Sequence, residues 1–153
     1  MNHWLFKSEP DVFSFADLKA RPREPWSGVR NYQARNYMRD QMRPGDLGLF
    51  YHSSCPDPGI AGVLRVETEA YDDPTQFDPG SEYFDAKATR EKPVWQLVDV
   101  KWEKDFRTFV TLEMLRSDPA LAGLITLRKG NRLSITPVTP EEFKQICRLG
   151  GVK

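Results

Sequence analysis

The residues best suited to chemistry lie in one short stretch, Trp26 to Asn36. Trp26 offers a large flat ring, Gly28 allows the chain to bend, and Asn31 is a residue type favoured at the start of a helix. The first N–H groups of a helix have no partner within it, so they suit an acceptor or an anion. A ring beside directed donors is typical of sites for planar ligands such as nucleobases. A buried tryptophan packed against a capped helix would explain the same residues.

Charge is spread unevenly along a chain whose formal net charge is zero. Residues 19–43 hold seven basic and two acidic side chains, whereas residues 67–85 hold seven acidic side chains and no basic one. Zero net charge argues against binding that depends mainly on neutralising phosphates. The basic segment around Trp26 instead predicts a small, local surface for an anionic partner. An ordinary solvated helix face is the alternative, and the acidic run is typical of a solvated loop.

The signals for secondary structure alternate between strands and short helices. Apolar alternation predicts strands over residues 3–7, 60–71, 94–106 and 133–135, and a near-continuous apolar run predicts a strand buried on both faces over residues 47–52. Capping patterns predict helices that begin after Ser14, Asn31, Thr111 and Thr139. The chain has no repeat and no linker, so we expect a single domain over residues 1–153. Its class would be α+β, with about five to six strands in a strongly bent sheet or small mixed β-barrel flanked by short helices.

The helix predicted after Asn31 has two distinct sides. One buried stripe combines Ala34, Tyr37, Met38, Gln41 and Met42. Arg35, Arg39 and Arg43 follow one flank at a spacing of four residues, with Tyr32 on the same side. This helix can therefore bury its apolar stripe while it presents a row of arginines next to its capped start.

Two other sets of side chains could support different chemistry. His52 and Cys55 resemble a catalytic Cys–His pair, although no nearby group clearly orients the histidine. A zinc site would need His3, His52, Cys55 and Cys147 together, yet these lack local pairing and Cys147 falls on the buried side of the last helix. No GxxxxGK[ST] or GxGxxG phosphate motif is present. We therefore expect no catalysis, no metal and no other cofactor.

Several features bear on location. No stretch approaches the roughly 18 consecutive apolar residues that a membrane span needs. The first residues lack the basic and apolar regions of a secretion signal. The two cysteines are 92 positions apart without a CxxC pairing, which predicts reduced thiols. We expect a monomeric, cytoplasmic protein that makes no contact with membranes.

Five motifs, in order over nearly the whole chain, resemble the EVE domain family. They are Trp4–Pro10 (WLFKSEP), Trp26–Asn36 (WSGVRNYQARN), Pro44–Asp46 (PGD), Phe50–Ser53 (FYHS) and Pro93–Trp95 (PVW). The first two are highly specific. One departure is Ser27, where many members carry an acidic residue, so any role of that carboxylate does not extend to this chain.

The resemblance implies a PUA-like fold, related to the YTH readers of methylated RNA. It also implies non-catalytic binding of a flipped, modified nucleobase in DNA or RNA. Under this resemblance Trp26 is a ring of the base pocket, Gly28 and Val29 let the backbone approach the base, and Asn31 and Tyr32 form the adjoining rim.

Further pocket residues follow from the same resemblance. Lys7, Ser8, His52 and Ser53 would line the pocket, with Trp95 as an additional wall. Outside it, we expect Arg30, Arg35 and Arg39 to contact the phosphate backbone. The alternative is an enzyme that acts on RNA or a small nucleotide, using His52 with Cys55 or a carboxylate of residues 72–85.

Overall fold

The structure is a computed structural model that describes residues 1–153, and a curled six-stranded sheet forms its centre. The strands in chain order are β1 (His3–Ser8), β2 (Glu24–Pro25), β3 (Leu47–His52), β4 (Gly59–Val66), β5 (Tyr71–Asp72), β6 (Gln96–Leu97), β7 (Asp99–Thr111) and β8 (Ile135–Val138). Their order in the sheet is β2-β7-β4-β3-β1-β8, while β5 and β6 pair separately. Only β1 and β3 are parallel, so their carboxyl ends, Ser8 and His52, lie side by side.

Short helices begin where the capping residues are. They are α1 (Phe15–Lys19), α2 (Tyr32–Asn36), α3 (Leu112–Ser117) and α4 (Pro140–Leu149). Ser14 and Thr139 each form a reciprocal capping box, and the side chains of Asn31 and Thr111 also accept from the first turns of their helices. No helix of the protein combines the length and apolar character needed to cross a bilayer.

Alternate side chains along the sheet strands point to opposite faces and belong to two separate apolar clusters. On one face, Trp4 and Phe6 of β1 pack with Trp26 and with Ala34, Met38 and Met42, whereas Gln41 of the predicted stripe is exposed. On the other face, Leu5 packs with residues of α3 and α4, including the buried thiol of Cys147. Because both faces are covered, β3 is apolar along nearly its whole length.

The predicted fold class and the bent sheet of five to six strands are confirmed, and the differences have local causes. The strand predicted over residues 60–71 ends at Val66, because Glu67 and Thr68 both hydrogen-bond to the backbone of Asp99. The last strand begins at Ile135, since Leu133 is held in a turn by the Asn131 side chain. The helix after Asn31 changes to a π-helical turn over Tyr37–Gln41.

Candidate functional site

A cleft of about 730 Å³ opens between the end of β1 and the segment that follows β2. Lys7 and Ser8 lie on one side, and residues 26–30 lie on the other. The volume falls within the range typical of small-molecule sites. The remaining lining residues are Glu9, Val12, Phe13, Arg21, Glu24, Pro25, Glu82, Tyr83 and Ser134. The cleft therefore brings together Lys7, Ser8, Trp26, Gly28 and Val29, five of the ten residues predicted for the pocket.

Trp26 is fixed in the wall of this cleft by the apolar core. Its backbone N–H donates to the carbonyl of Val98, which extends the pairing of β2 with β7. Three phenylalanine rings meet its indole nearly at right angles, with centroid distances of 5.3 Å for Phe6, 5.8 Å for Phe50 and 6.2 Å for Phe13. Only 8% of Trp26 is exposed. The ring is therefore immobilised before any ligand arrives.

The indole N–H of Trp26 differs from those of the other three tryptophans. Trp4, Trp95 and Trp102 each donate to a carboxylate, at 3.0 Å, 2.8 Å and 3.0 Å respectively. The Trp26 N–H has no acceptor within the protein, and its nitrogen is not among the atoms sealed from solvent. Indole N–H groups in largely buried rings usually have a partner. The Trp26 indole N–H is therefore a fixed hydrogen-bond donor that the protein itself leaves unused.

Gly28 bends the chain under the ring of Tyr83. Its φ of +84° lies in the left-handed region that glycine tolerates best. A Cβ at this position would lie 2.7 Å from Cζ of Tyr83, so the tyrosine ring packs directly on the glycine backbone. Together with the half-buried ring of Phe13, Tyr83 gives the cleft further aromatic surface.

The buried carboxylate of Asp73 fastens the acidic segment to this wall. Asp73 is completely buried, and it accepts from the Gly28 N–H at 2.8 Å and from Arg30 Nη1 at 3.2 Å. Its other oxygen accepts from the N–H and the hydroxyl of Thr75. A buried carboxylate needs such partners to offset its lost hydration. The segment that carries Tyr83 is thus tied to Gly28 by the same carboxylate.

Arg30 has a structural role rather than the predicted contact with phosphate. Two of its N–H groups donate to the carbonyl of Tyr83, and the others donate to Val29, Asp73 and Thr75. A guanidinium has five donors, so none remains for a phosphate. The prediction for Arg30 is corrected on this ground, because its side chain holds residues 73–83 against the cleft.

Basic and acidic side chains are balanced within the cleft. Lys7, Arg21 and Arg30 face three carboxylates, and Arg21 pairs with Glu24 at 2.9 Å. The Lys7 ammonium lies 5.8 Å from the centre of the Tyr51 ring, and burial lowers the pKa of Lys7. A balanced cleft suits a ligand that offers both donors and acceptors better than it suits a bare phosphate.

Three of the predicted pocket residues form a separate cluster beside the cleft. Asn31 caps α2 by accepting from Ala34, and Tyr32 stacks on Trp95 with ring centroids 4.9 Å apart. None of the three is among the cleft's lining residues. The start of α2 therefore does not close the cleft as expected, because Tyr83 occupies that side.

His52 and Ser53 lie at the end of β3, outside the cleft. His52 Nε2 accepts from the N–H of Phe15 at 3.1 Å and so serves the start of α1, and burial lowers its pKa. Ser53 donates its N–H to the carbonyl of Ser8. His52 and Cys55 share a second cleft of about 590 Å³, with no hydrogen bond between them. No three His, Cys, Asp or Glu side chains converge as a metal site would require.

The two remaining arginines of the predicted phosphate contacts are on the surface of the α2 region. Arg35 donates to the carbonyl of Val94 at 2.7 Å and to the side chain of Asn36, which leaves two of its N–H groups unused. Arg39 is exposed and pairs with Asp40 at 2.8 Å. Both guanidinium groups retain donors that can reach solvent.

Sequence reasoning missed the residues that come from the acidic segment. Tyr83 and Glu82 line the cleft, and Asp73 with Gln76 is fully buried, although the whole run was interpreted as solvated. One local signal was available: an aspartate directly before a proline, as in Asp73-Pro74-Thr75, is typical of a capped helical start. No local pattern indicates that Tyr83 would pack on Gly28.

The curled mixed sheet with its aromatic cleft is the architecture of an α+β binding domain. This chain belongs to the EVE domain family. The model of the EVE domain matches residues 2–149. Among its relatives is thymocyte nuclear protein 1 of Homo sapiens, which is 40% identical over 166 residues, covering 97% of this chain and 73% of that protein.

Two solved structures are similar over nearly the whole chain. A protein from Pseudomonas syringae is 48% identical with a TM-score of 0.92, and the match covers 97% of this chain and 99% of that chain. The human thymocyte nuclear protein 1, in complex with DNA that contains 5-methylcytosine, is 38% identical with a TM-score of 0.93, covering 100% and 99% respectively.

Proposed function

We propose that this protein binds nucleic acid and takes one flipped, modified base into the cleft beside Trp26. The observation that carries the proposal is the unused indole N–H, held rigidly at the edge of a cleft of suitable size. A preorganised donor of this kind increases the affinity for a ligand with a matching acceptor, since the protein itself supplies none.

The chemistry of the cleft favours a base over a phosphate. A pyrimidine such as cytosine offers ring acceptors and an amino donor on one edge. Trp26 can donate to an acceptor, and the carboxylates of Glu24 and Glu82 can accept from an amino group. Because human thymocyte nuclear protein 1 has been crystallised with 5-methylcytosine in DNA, this base is the first candidate for the ligand.

Binding of a flipped base is energetically feasible when contacts to the flanking phosphates add to those made in the cleft. Extruding a base from a duplex costs a few kcal/mol, and least when the base is already unpaired. Contact with aromatic surface returns about 1–3 kcal/mol, and a hydrogen bond to Trp26 about 0.5–1.5 kcal/mol. We propose that Arg35 and Arg39 supply the remainder by contacting phosphates, independently of the base.

We propose binding without catalysis. The nitrogen of His52 that could act as a base already accepts a backbone N–H, and Cys55 lies outside its hydrogen-bonding reach. Incubation with RNA, nucleotides and modified DNA, followed by mass spectrometry, should yield no product. Turnover that disappears in the His52→Ala variant would favour the enzyme instead. The monomeric state and the cytoplasmic location stay predictions from the sequence.

The direct test compares oligonucleotides that differ only in one methyl group. Fluorescence anisotropy should show tighter binding to 5-methylcytosine than to cytosine in the same sequence. Trp26→Phe keeps an apolar ring but removes the donor, so we expect about five- to tenfold weaker binding of the methylated strand. The matched control is His52→Ala in the second cleft, which should bind like the wild type. Equal affinity of the wild type and Trp26→Phe for the methylated strand would contradict the proposal.

A further inference from the structure

An exposed aromatic ring stands outside the cleft on a rigid support. Tyr32 is 60% exposed and stacks on Trp95 at an interplanar angle of 21°. Trp95 is itself buried, and its indole N–H donates to Asp85 at 2.8 Å. The backbone N–H and carbonyl of Trp95 are both bonded to the buried side chain of Gln76. One face of the Tyr32 ring is therefore fixed on this support, while the other is open to solvent.

The surroundings of this ring are positively charged. The Arg35 guanidinium lies 4.9 Å from the centre of the Tyr32 ring and 5.8 Å from that of Trp95. Arg39 follows one turn later, and the exposed Lys92 is two residues from Val94, whose carbonyl holds Arg35. An exposed flat ring with cations at its border complements a base and its phosphate, as in surfaces that bind single strands.

A continuous row of stacked groups joins this ring to the cleft. The guanidinium of Arg30 lies 5.3 Å from the centre of the Trp95 ring and 5.6 Å from that of Tyr83. Tyr83 lines the cleft, and Trp95 supports Tyr32. The ring outside and the cleft inside are thus joined by one connected set of side chains.

We propose that the outer face of Tyr32 is a platform on which a base flanking the one in the cleft stacks. This inference rests on the proposed function, which it extends from one base to a short strand. It requires that the flanking base be unpaired, so the ligand is a single strand or a locally opened duplex. Arg35 and Arg39 would then contact the phosphates of the same strand.

The test uses two single-stranded oligonucleotides with a central 5-methylcytosine. One carries normal bases on both sides, and the other has abasic sites there, so that the phosphates are unchanged. Affinity is measured for the wild type, Tyr32→Phe and Tyr32→Leu, since leucine still covers Trp95 but lacks a flat ring. Gln33→Ala, an exposed neighbour, is the matched control.

We expect the abasic flanks to weaken binding by the wild type and by Tyr32→Phe about tenfold. For Tyr32→Leu the abasic flanks should weaken binding less than twofold, because this variant already lacks the platform. An equal loss in the wild type and Tyr32→Leu, or no loss in either, would overturn the platform and favour a protein as the partner of this surface. Versions of both oligonucleotides with a central cytosine are measured as well. If the wild type binds these as tightly as the methylated ones, the proposed function fails, and the platform fails with it.

Discussion

Two clefts lie on either side of the segment that joins β1 to α1, and they differ in what their polar groups already bind. The Trp26 cleft is lined by a tryptophan whose indole N–H, unlike those of the other three tryptophans, has no acceptor in the protein. The other contains His52 and Cys55, the residue types most often associated with catalysis, but His52 is engaged with the backbone of Phe15. The two clefts therefore differ in which polar groups they leave unused, and residue types alone do not reveal this difference.

The walls of the two clefts also differ in how they are held. The Trp26 cleft is enclosed by a segment distant in sequence, which Asp73 and Arg30 hold through five hydrogen bonds, one of them between the two side chains. Residues 55–57, which line the other cleft, have no comparable buried anchor. Preorganisation of this kind lowers the cost of ordering a site when a ligand binds.

Removing the anchor should affect the Trp26 cleft most. Asp73→Ala leaves the Gly28 N–H and the Arg30 guanidinium without their carboxylate, so we expect the free energy of unfolding to fall by about 3 kcal/mol. Chemical denaturation measures this change. Glu69→Gln is the control, because the Glu69–Arg43 pair is exposed and should contribute less than about 1 kcal/mol. Comparable losses in the two variants would show that Asp73 does not anchor the wall.

Displacing Tyr83 should alter the cleft with a smaller loss of stability. Gly28→Ala places a Cβ against the tyrosine ring at a backbone φ of +84°, and we expect a cost of about 1–2 kcal/mol. Binding of methylated DNA should weaken about tenfold, as measured by anisotropy. Gly130→Ala has a similar φ of +80° but no neighbour within 4 Å of its Cβ, so it should lose stability without losing affinity. Unchanged affinity in Gly28→Ala would place Tyr83 outside the binding surface.

The structural role of His52 in the second cleft should appear in the pH dependence of the free energy of unfolding. Burial lowers the pKa of His52 below 6.5, and burial is also the main cause that lowers the pKa of His3. As pH falls below about 6.5, the unfolded chain therefore takes up protons first, and the free energy of unfolding decreases. The His52→Gln variant should show a shallower decrease between pH 6.5 and 5, because only His3 remains. An unchanged slope would indicate that His52 contributes nothing to this dependence.

Salt should have the smallest effect. With zero net charge and Arg30 fully bonded, binding should release counterions from only roughly two to four phosphates. The logarithm of the association constant should then fall with the logarithm of salt concentration at a slope of roughly −2 to −4. Arg35→Ala should reduce this slope by about 1 without changing the preference for the methylated base. A slope steeper than about −6 would mean that phosphate contacts dominate.

Much of the fold could be predicted because its signals are local. The capping boxes at Ser14 and Thr139 and the cap at Asn31 lie within three or four residues of the groups they bind, and each marks a helix in the structure. The apolar run of β3 likewise predicted a strand buried on both faces.

The site was only half predictable, because its other half comes from contacts distant in sequence. Tyr83 packs on Gly28 across 55 positions, and nothing in the acidic run around it indicates a buried partner. Four of the five bonds of Arg30 go to the same segment, so its sequence position beside Trp26 suggested a phosphate contact that the structure does not support. Motifs identified Trp26, but not the residues that enclose it.

The most direct measurement follows the four indole N–H signals by NMR during titration with 5-methyl-2′-deoxycytidine. Three of these groups already donate within the protein, so only the signal of Trp26 should move as the nucleoside binds. Trp26→Phe assigns that signal by removing it, and unmethylated deoxycytidine should shift it less at the same concentration. If the Trp26 signal stays in place while other signals show that the nucleoside binds, the cleft beside this ring is not where the base is held.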